Sequence, residues 1–189
     1  SRWWIDPRPG SSESEPRGRV RLVVEPREAF GSGSHESTQL VLQAMESMDL
    51  DGLRVLDVGT GSSILALAAD RLGAGQVLAL DMDSTAVWVA RQTIGQQDWR
   101  PHIQLLIGPV GALAGGGFDL VLCNMVSSSF LPLVPELAKL LTDGGRAVFS
   151  GMLELEKESV GLELQRAGFA AIDEMCLGEW FALVVELGT

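Results

Sequence analysis

Cysteine, histidine and basic residues are scarce in this 189-residue chain, and it has no long apolar run. The two cysteines, Cys123 and Cys176, stand far apart inside apolar stretches and fit no metal-ligand spacing, so both read as buried, reduced thiols. A fold stapled by disulfides or metal is thereby excluded. Nothing approaches the roughly 18 consecutive apolar residues of a membrane span. The opening Ser1-Arg2-Trp3-Trp4 also lacks the apolar core of a signal peptide. A cytoplasmic protein without membrane contact is expected. Ser1 in place of an initiating Met points to a piece of a longer chain or a trimmed one.

Basic charge is the other shortage. Lys and Arg number 14 against 25 Asp and Glu, a net charge of −11. Phosphate backbones repel such a chain, so direct nucleic-acid contact is not expected. A basic partner such as a Lys-rich protein is attracted, although the same acidity can serve solubility alone. What the chain does have is apolar residues, 46% of the total. At one domain's length that supports a real core, and a monomer is expected.

Residues 1 to 18 differ from the rest. Pro7, Pro9, Gly10, Pro16 and the Ser11-Ser12-Glu13-Ser14-Glu15 run read as a flexible linker or N-terminal extension, in which the paired Trp3 and Trp4 are out of place unless they dock. From 19 to 189 strand and helix patterns alternate as one domain. Strands are expected at 19–24, 54–58, 76–80, 103–107, 118–123, 146–150, 169–176 and 180–186. Helices are expected from about 40 to 48, 64–72 stopped by Gly73, 84–94 capped by Ser84, 130–141 and 154–167. Strands separated by helices imply right-handed crossovers and a doubly wound, mostly parallel seven-stranded sheet with helices on both faces. The last two strands have no helix between them, so they should form an antiparallel C-terminal hairpin.

The segment richest in chemistry is Val55-Leu56-Asp57-Val58-Gly59-Thr60-Gly61-Ser62-Ser63-Ile64-Leu65. A buried strand runs into Gly59 and Gly61 and then a helix, the place where a doubly wound sheet takes a nucleotide-like ligand. Glycine there admits close backbone approach, and the helix start offers free N–H groups. Asp81, 22 residues past Gly59, suits a carboxylate that accepts both hydroxyls of a ribose. A dinucleotide fold wants G-x-G-x-x-G, but Ile64 holds the sixth position. The pattern is nearer the G-x-G-x-G of S-adenosylmethionine enzymes, with Ser63 in place of its last glycine. A tight turn without a ligand is the bland alternative.

A second segment, Ala29-Phe30-Gly31-Ser32-Gly33-Ser34-His35-Glu36-Ser37-Thr38, resembles the A-F-G-T-G-x-H-x-T-T signature of the bacterial methyltransferases that modify large-subunit ribosomal protein eleven. The likeness continues through Asp57–Leu65 (D-x-G-x-G-S-G-I-L) and Ala79–Asp83 (D-x-D). It then takes in Asp119–Asn124 (D-V-V-x-A-N), Ser150-Gly151-Met152-Leu153 (S-G-I-L) and a late Trp180, so that it spans roughly residues 20 to 185.

The resemblance implies a class I, Rossmann-like methyltransferase that uses S-adenosyl-L-methionine to methylate protein amines, at lysine side chains or an N-terminal amine. It places cofactor contacts at Thr38, Gly59, Asp81 and Asn124, and the glycine turn itself adds Gly61 as a cofactor contact. Asn124 is also the catalytic residue it implies, its carboxamide oxygen accepting from an incoming amine; alone, Asn124 could be a turn residue after a strand. Met82 would line the adenine pocket. Phe30 would wall the pocket or belong to the core, and His35 would tune the site or serve structure. No metal is implied. Three departures stand out: Ser63 for glycine, Met125-Val126-Ser127 for the family's I-L-A, and the lack before Arg19 of enough chain to form the family's N-terminal recognition domain. The other readings are a methyltransferase of another protein or a small molecule, a non-catalytic cofactor-binding module and, more distantly, a dehydrogenase.

Overall fold

The computed structural model describes residues 2–10, 18–25 and 35–188. Its centre is a seven-stranded sheet of β3 (Arg54–Val58), β4 (Gln76–Asp81), β5 (Ile103–Ile107), β6 (Phe118–Asn124), β7 (Leu141–Leu153), β8 (Phe169–Leu177) and β9 (Trp180–Leu187). The strand order is β5-β4-β3-β6-β7-β9-β8. Pairing is parallel from β5 through β7, and β9 pairs antiparallel with both β7 and β8. The expected seven strands and terminal hairpin are therefore present. After β3 the chain steps outward to β4 and β5, then returns to the other side of β3 as β6. That reversal opens a crevice at the carboxyl ends of β3 and β6, where open α/β sheets bind ligands.

Helices α1 (Glu36–Glu46), α2 (Ile64–Arg71), α3 (Ser84–Gly95), α4 (Ser127–Phe130), α5 (Val134–Leu140) and α6 (Lys157–Arg166) cover the sheet. Strand alternation splits the core in two. Val55, Leu120, Leu122, Val148 and Val184 pack on one face with α1 and α2. Leu56, Val121, Cys123, Phe149 and Val185 pack on the other with α5 and α6.

Several expectations need correction. The strand near residue 20, β2 (Val20–Val23), lies outside the main sheet and pairs in parallel with β1 (Trp3–Asp6). The first residues are thus an extension with its own strand, because Trp-Trp-Ile-Asp is β-prone and the breakers begin only at Pro7. Trp3 joins the α1/α2 core, and Asp6, fully buried, pairs with Arg21 at 2.8 Å. Helix 130–141 is three pieces: α4, a 3₁₀ turn at Leu131–Leu133, and α5. Pro132 and Pro135 lack the amides that a continuous helix needs. The cap of α3 is Asp83, whose carboxylate accepts from the Thr85 amide at 2.7 Å, and not Ser84. Strand β7 starts at Leu141, before the Gly144-Gly145 turn, with a register shift against β6. Cys123 is buried as expected, and burial pushes its thiol pKa up. Cys176 is exposed, because β8 is the sheet edge. Among the described residues no helix is long and apolar enough to cross a membrane, and no acidic, His or Cys cluster could hold a metal.

Candidate active site

Strand β3 ends in the glycine turn. The amides of Gly59 and Thr60 both donate to the Leu80 carbonyl, at 2.9 and 3.0 Å, which lashes the turn to the end of β4. Gly59 and Gly61 have φ of +68° and +51°, a left-handed backbone that costs glycine little and other residues roughly 1–2 kcal/mol. Ser63 adopts the same conformation, φ +67°, at the N-cap of α2. Its buried hydroxyl lies 3.1 Å from Thr60 Oγ1, a hydrogen bond of the order of 1 kcal/mol that offsets much of the strain. The serine that replaces a family glycine thus keeps the turn's shape.

The carboxylate of Asp81 projects from the end of β4. Its Oδ2 accepts from the Gly61 amide at 3.1 Å and its Oδ1 from the Asp83 amide at 3.0 Å. Each oxygen retains a lone pair, so the side chain is oriented yet still able to bind a vicinal diol. Met82 beside it is 75% exposed, on the lip of the crevice.

Asn124 closes β6. Its Nδ2 donates to Thr38 Oγ1 on α1 at 3.1 Å, a contact between residues 86 apart in sequence. With the amide nitrogen committed, the Asn124 Oδ1 is left as an acceptor. Helix α1 is set by His35, whose Nδ1 accepts from the Ser37 amide at 3.3 Å and whose ring meets Trp180 edge-on at 4.5 Å. His35 therefore acts as a cap and packing residue. Ser150 ties the same helix to the sheet, its hydroxyl lying 3.2 Å from the Ser37 carbonyl and 3.1 Å from that of Phe181.

Thr38, Gly59, Gly61, Asp81, Met82 and Asn124 thus come to one edge of the sheet. Phe30 lies outside the described residues, as does the signature from Ala29 to Ser34. Sequence reasoning gave no role to Asp57, whose carboxyl burial pushes up to about 6. Thr60 Oγ1 donates to Oδ2 at 2.6 Å. The other oxygen, Oδ1, has no hydrogen-bond partner of good geometry, although the Ala66 amide still exerts a lowering pull. A carboxylate in the middle of the apolar run Val55-Leu56-Asp57-Val58 was the signal that could have found it.

These features fit S-adenosylmethionine. The left-handed turn at Gly59 and Gly61 admits close backbone approach. Asp81 suits the ribose, and the orphaned oxygen of Asp57 suits a cationic amine.

Comparison with known proteins agrees. The profile described as "Ribosomal protein L11 methyltransferase (PrmA)" matches residues 1–187. The ribosomal protein L11 methyltransferase of Pelobacter propionicus is 39% identical over 192 residues, covering 96% of this chain and 58% of the relative. That of Desulforapulum autotrophicum is 36% identical, covering 95% and 60%. The chain spans about six tenths of the length of these curated relatives. Among solved structures, the ribosomal protein L11 methylase of Lactobacillus delbrueckii subsp. bulgaricus superposes with a TM-score of 0.85 at 30% identity, over 94% of this chain and 90% of that one. Magnesium protoporphyrin IX methyltransferase of Synechocystis, solved with SAH bound, shares the fold alone, with a TM-score of 0.64 at 18% identity over 79% and 81% of the two chains. The glycine turn, the Asp81 carboxylate, the Thr38–Asn124 contact and the match along nearly the whole chain agree that this protein belongs to the ribosomal protein L11 methyltransferase family.

Proposed function

We propose that the chain is an S-adenosylmethionine-dependent N-methyltransferase of protein amines, with lysine side chains or an N-terminal amine of ribosomal protein L11 as acceptors. The observation that carries this reading is the Asn124 carboxamide, held by Thr38 at 3.1 Å with its oxygen left to accept. When bound, the cofactor supplies a methyl carbon activated by a sulfonium. Asp81 would hold its ribose, the Gly59–Gly61 backbone and the Thr38 hydroxyl would take its amino-acid end, and Met82 would shield its adenine. The buried, unpartnered oxygen of Asp57 would take its ammonium.

Asn124 Oδ1 would accept an N–H from the acceptor amine and so orient its nitrogen lone pair for attack. Displacement at carbon is then a matter of positioning, and no covalent intermediate with the protein is involved. A lysine, with a reference pKa of about 10.4, has to reach Asn124 in its neutral form. Relatives named for ribosomal protein L11 and the net charge of −11 both support a basic protein partner.

The test is methyl transfer to purified ribosomal protein L11, followed by intact mass, for the chain and for Asn124→Ala. The variant is expected to lose about 10²-fold or more in kcat, with its affinity for S-adenosylhomocysteine held within about threefold by calorimetry. A chain that binds the cofactor product but methylates no basic protein is a binding module, and the proposal fails.

A further inference from the structure

The loop after β6 departs from the family motif at Met125-Val126-Ser127, and methyl transfer as described above leaves that departure unused. The loop is pinned at both ends. The Met125 amide donates to the Ser150 carbonyl at 3.0 Å, one step beyond the Asn124–Ser150 register pair. The Met125 backbone lies against Gly151, where an added Cβ would stand 2.6 Å from the Met125 carbonyl oxygen.

Two residues on, the Ser127 hydroxyl donates to Glu156 Oε1, while Glu156 Oε2 accepts from the Leu153 amide at 2.9 Å. Glu156 belongs to the 3₁₀ turn Glu154–Glu156 that follows β7. One carboxylate therefore clasps the loop after β6 to the loop after β7. The two donors hold the Glu156 carboxyl below the usual carboxylate range, which keeps the clasp ionised at neutral pH and its bonds charge-assisted. Val126, between the pinned residues, is 54% exposed and adds little packing of its own.

We propose that Glu156, acting through Ser127, is a positioning residue that fixes loop 125–127 and with it the direction in which Asn124 presents its carboxamide oxygen to the acceptor. The inference rests on the methyl-transfer reading. Asn124 is steered from its side chain by Thr38 and from its backbone by the exit path of the chain, and the clasp sets that path.

The test uses the full chain and the variants Glu156→Ala, Ser127→Ala and Glu156→Gln. Glutamine can accept from the Leu153 amide through Oε1 and donate to the Ser127 oxygen through Nε2, so it preserves the clasp, whereas either alanine breaks it. With ribosomal protein L11 as the acceptor probe, both alanine variants are expected to lose about ten- to a hundredfold in kcat, the scale of a small misplacement at a reacting centre. Their affinity for S-adenosylhomocysteine should stay within about twofold, because no ground-state cofactor contact is removed. Glu156→Gln should recover most of the rate.

Independently of turnover, the side-chain amide NMR signals of Asn124, assigned with Asn124→Ala, should shift or broaden in the alanine variants and stay in place in Glu156→Gln. Unchanged kcat and unchanged amide signals in both alanine variants overturn the proposal. So does a Glu156→Gln variant as impaired as Glu156→Ala, which would make charge and not position the cause. If the parent chain transfers no methyl group, the reading of its function fails, while the amide signals still decide the clasp.

Discussion

Asp57 is a buried carboxyl that the fold keeps at the expense of stability. Its carboxyl is buried in β3 with one oxygen on Thr60 and the other orphaned, and desolvation raises its pKa from 3.8 to about 6. A raised folded-state pKa means that the native state prefers the protonated form. The associated stability is fully present below about pH 4, and is lost as pH rises through 6. The loss amounts to about 3 kcal/mol, at 1.36 kcal/mol per unit. Asp57→Asn abolishes that titration. In urea unfolding of the ligand-free protein, the stability difference between parent and variant is therefore expected to move by about 2–3 kcal/mol in the variant's favour between pH 4 and 7. A flat difference would refute the buried, proton-hungry carboxyl. On the proposed reading the cofactor's ammonium would reverse the preference, since a positive neighbour favours the ionised form.

At the scale of elements, the site depends on β6 and β7 ending side by side. The close approach of Met125 to Gly151 allows it, at a φ of +85°. Gly151→Ala meets both a left-handed backbone and three Met125 main-chain atoms between 2.6 and 2.9 Å. Gly178→Ala, in the β8–β9 turn at φ +61°, meets open space. The second substitution is expected to cost about 1 kcal/mol from conformation alone, and the first at least about 2–3 kcal/mol. Denaturant midpoints of the two variants measure the difference, and equal losses would remove the tight β6–β7 exit.

Much of this architecture was legible beforehand, for identifiable reasons. The crossovers could be read because buried parallel strands are short apolar runs punctuated by glycine, as at Val55–Gly59. The terminal hairpin could be read because no helix-length segment separates β8 from β9. Strand β1 is masked by the prolines that follow it, and the break in 130–141 shows in the sequence only as Pro132 and Pro135, each of which also suits the first turn of a helix. In the site, Asp81 and Asn124 stood out by spacing and motif. The Thr38–Asn124 and Ser127–Glu156 contacts are tertiary, and no local pattern encodes a meeting of residues 86 or 29 apart.

For the whole molecule the governing quantity is charge. A net of −11 surrounds a site whose rim includes exposed acidic residues, Asp83 just past β4 and Glu154 just past β7. On the proposed reading such a field would gather a basic protein acceptor toward the carboxyl edge of the sheet; fields of this kind raise association rates by about 10–10³-fold at low salt. On the same reading the cofactor is a small ligand that Asp81 and the glycine turn would hold at short range, so it should feel the field far less. Ionic strength should therefore separate the two partners. Raising salt from about 50 mM to about 500 mM shortens the Debye length from roughly 14 Å to roughly 4 Å. Over that range kcat/KM for a basic protein acceptor is expected to fall about tenfold, while the affinity for S-adenosylhomocysteine changes by less than about twofold. Steady-state kinetics and calorimetry in the same buffers supply both numbers. A kcat/KM that ignores salt would assign the acidity to solubility alone and leave acceptor capture to contacts other than charge.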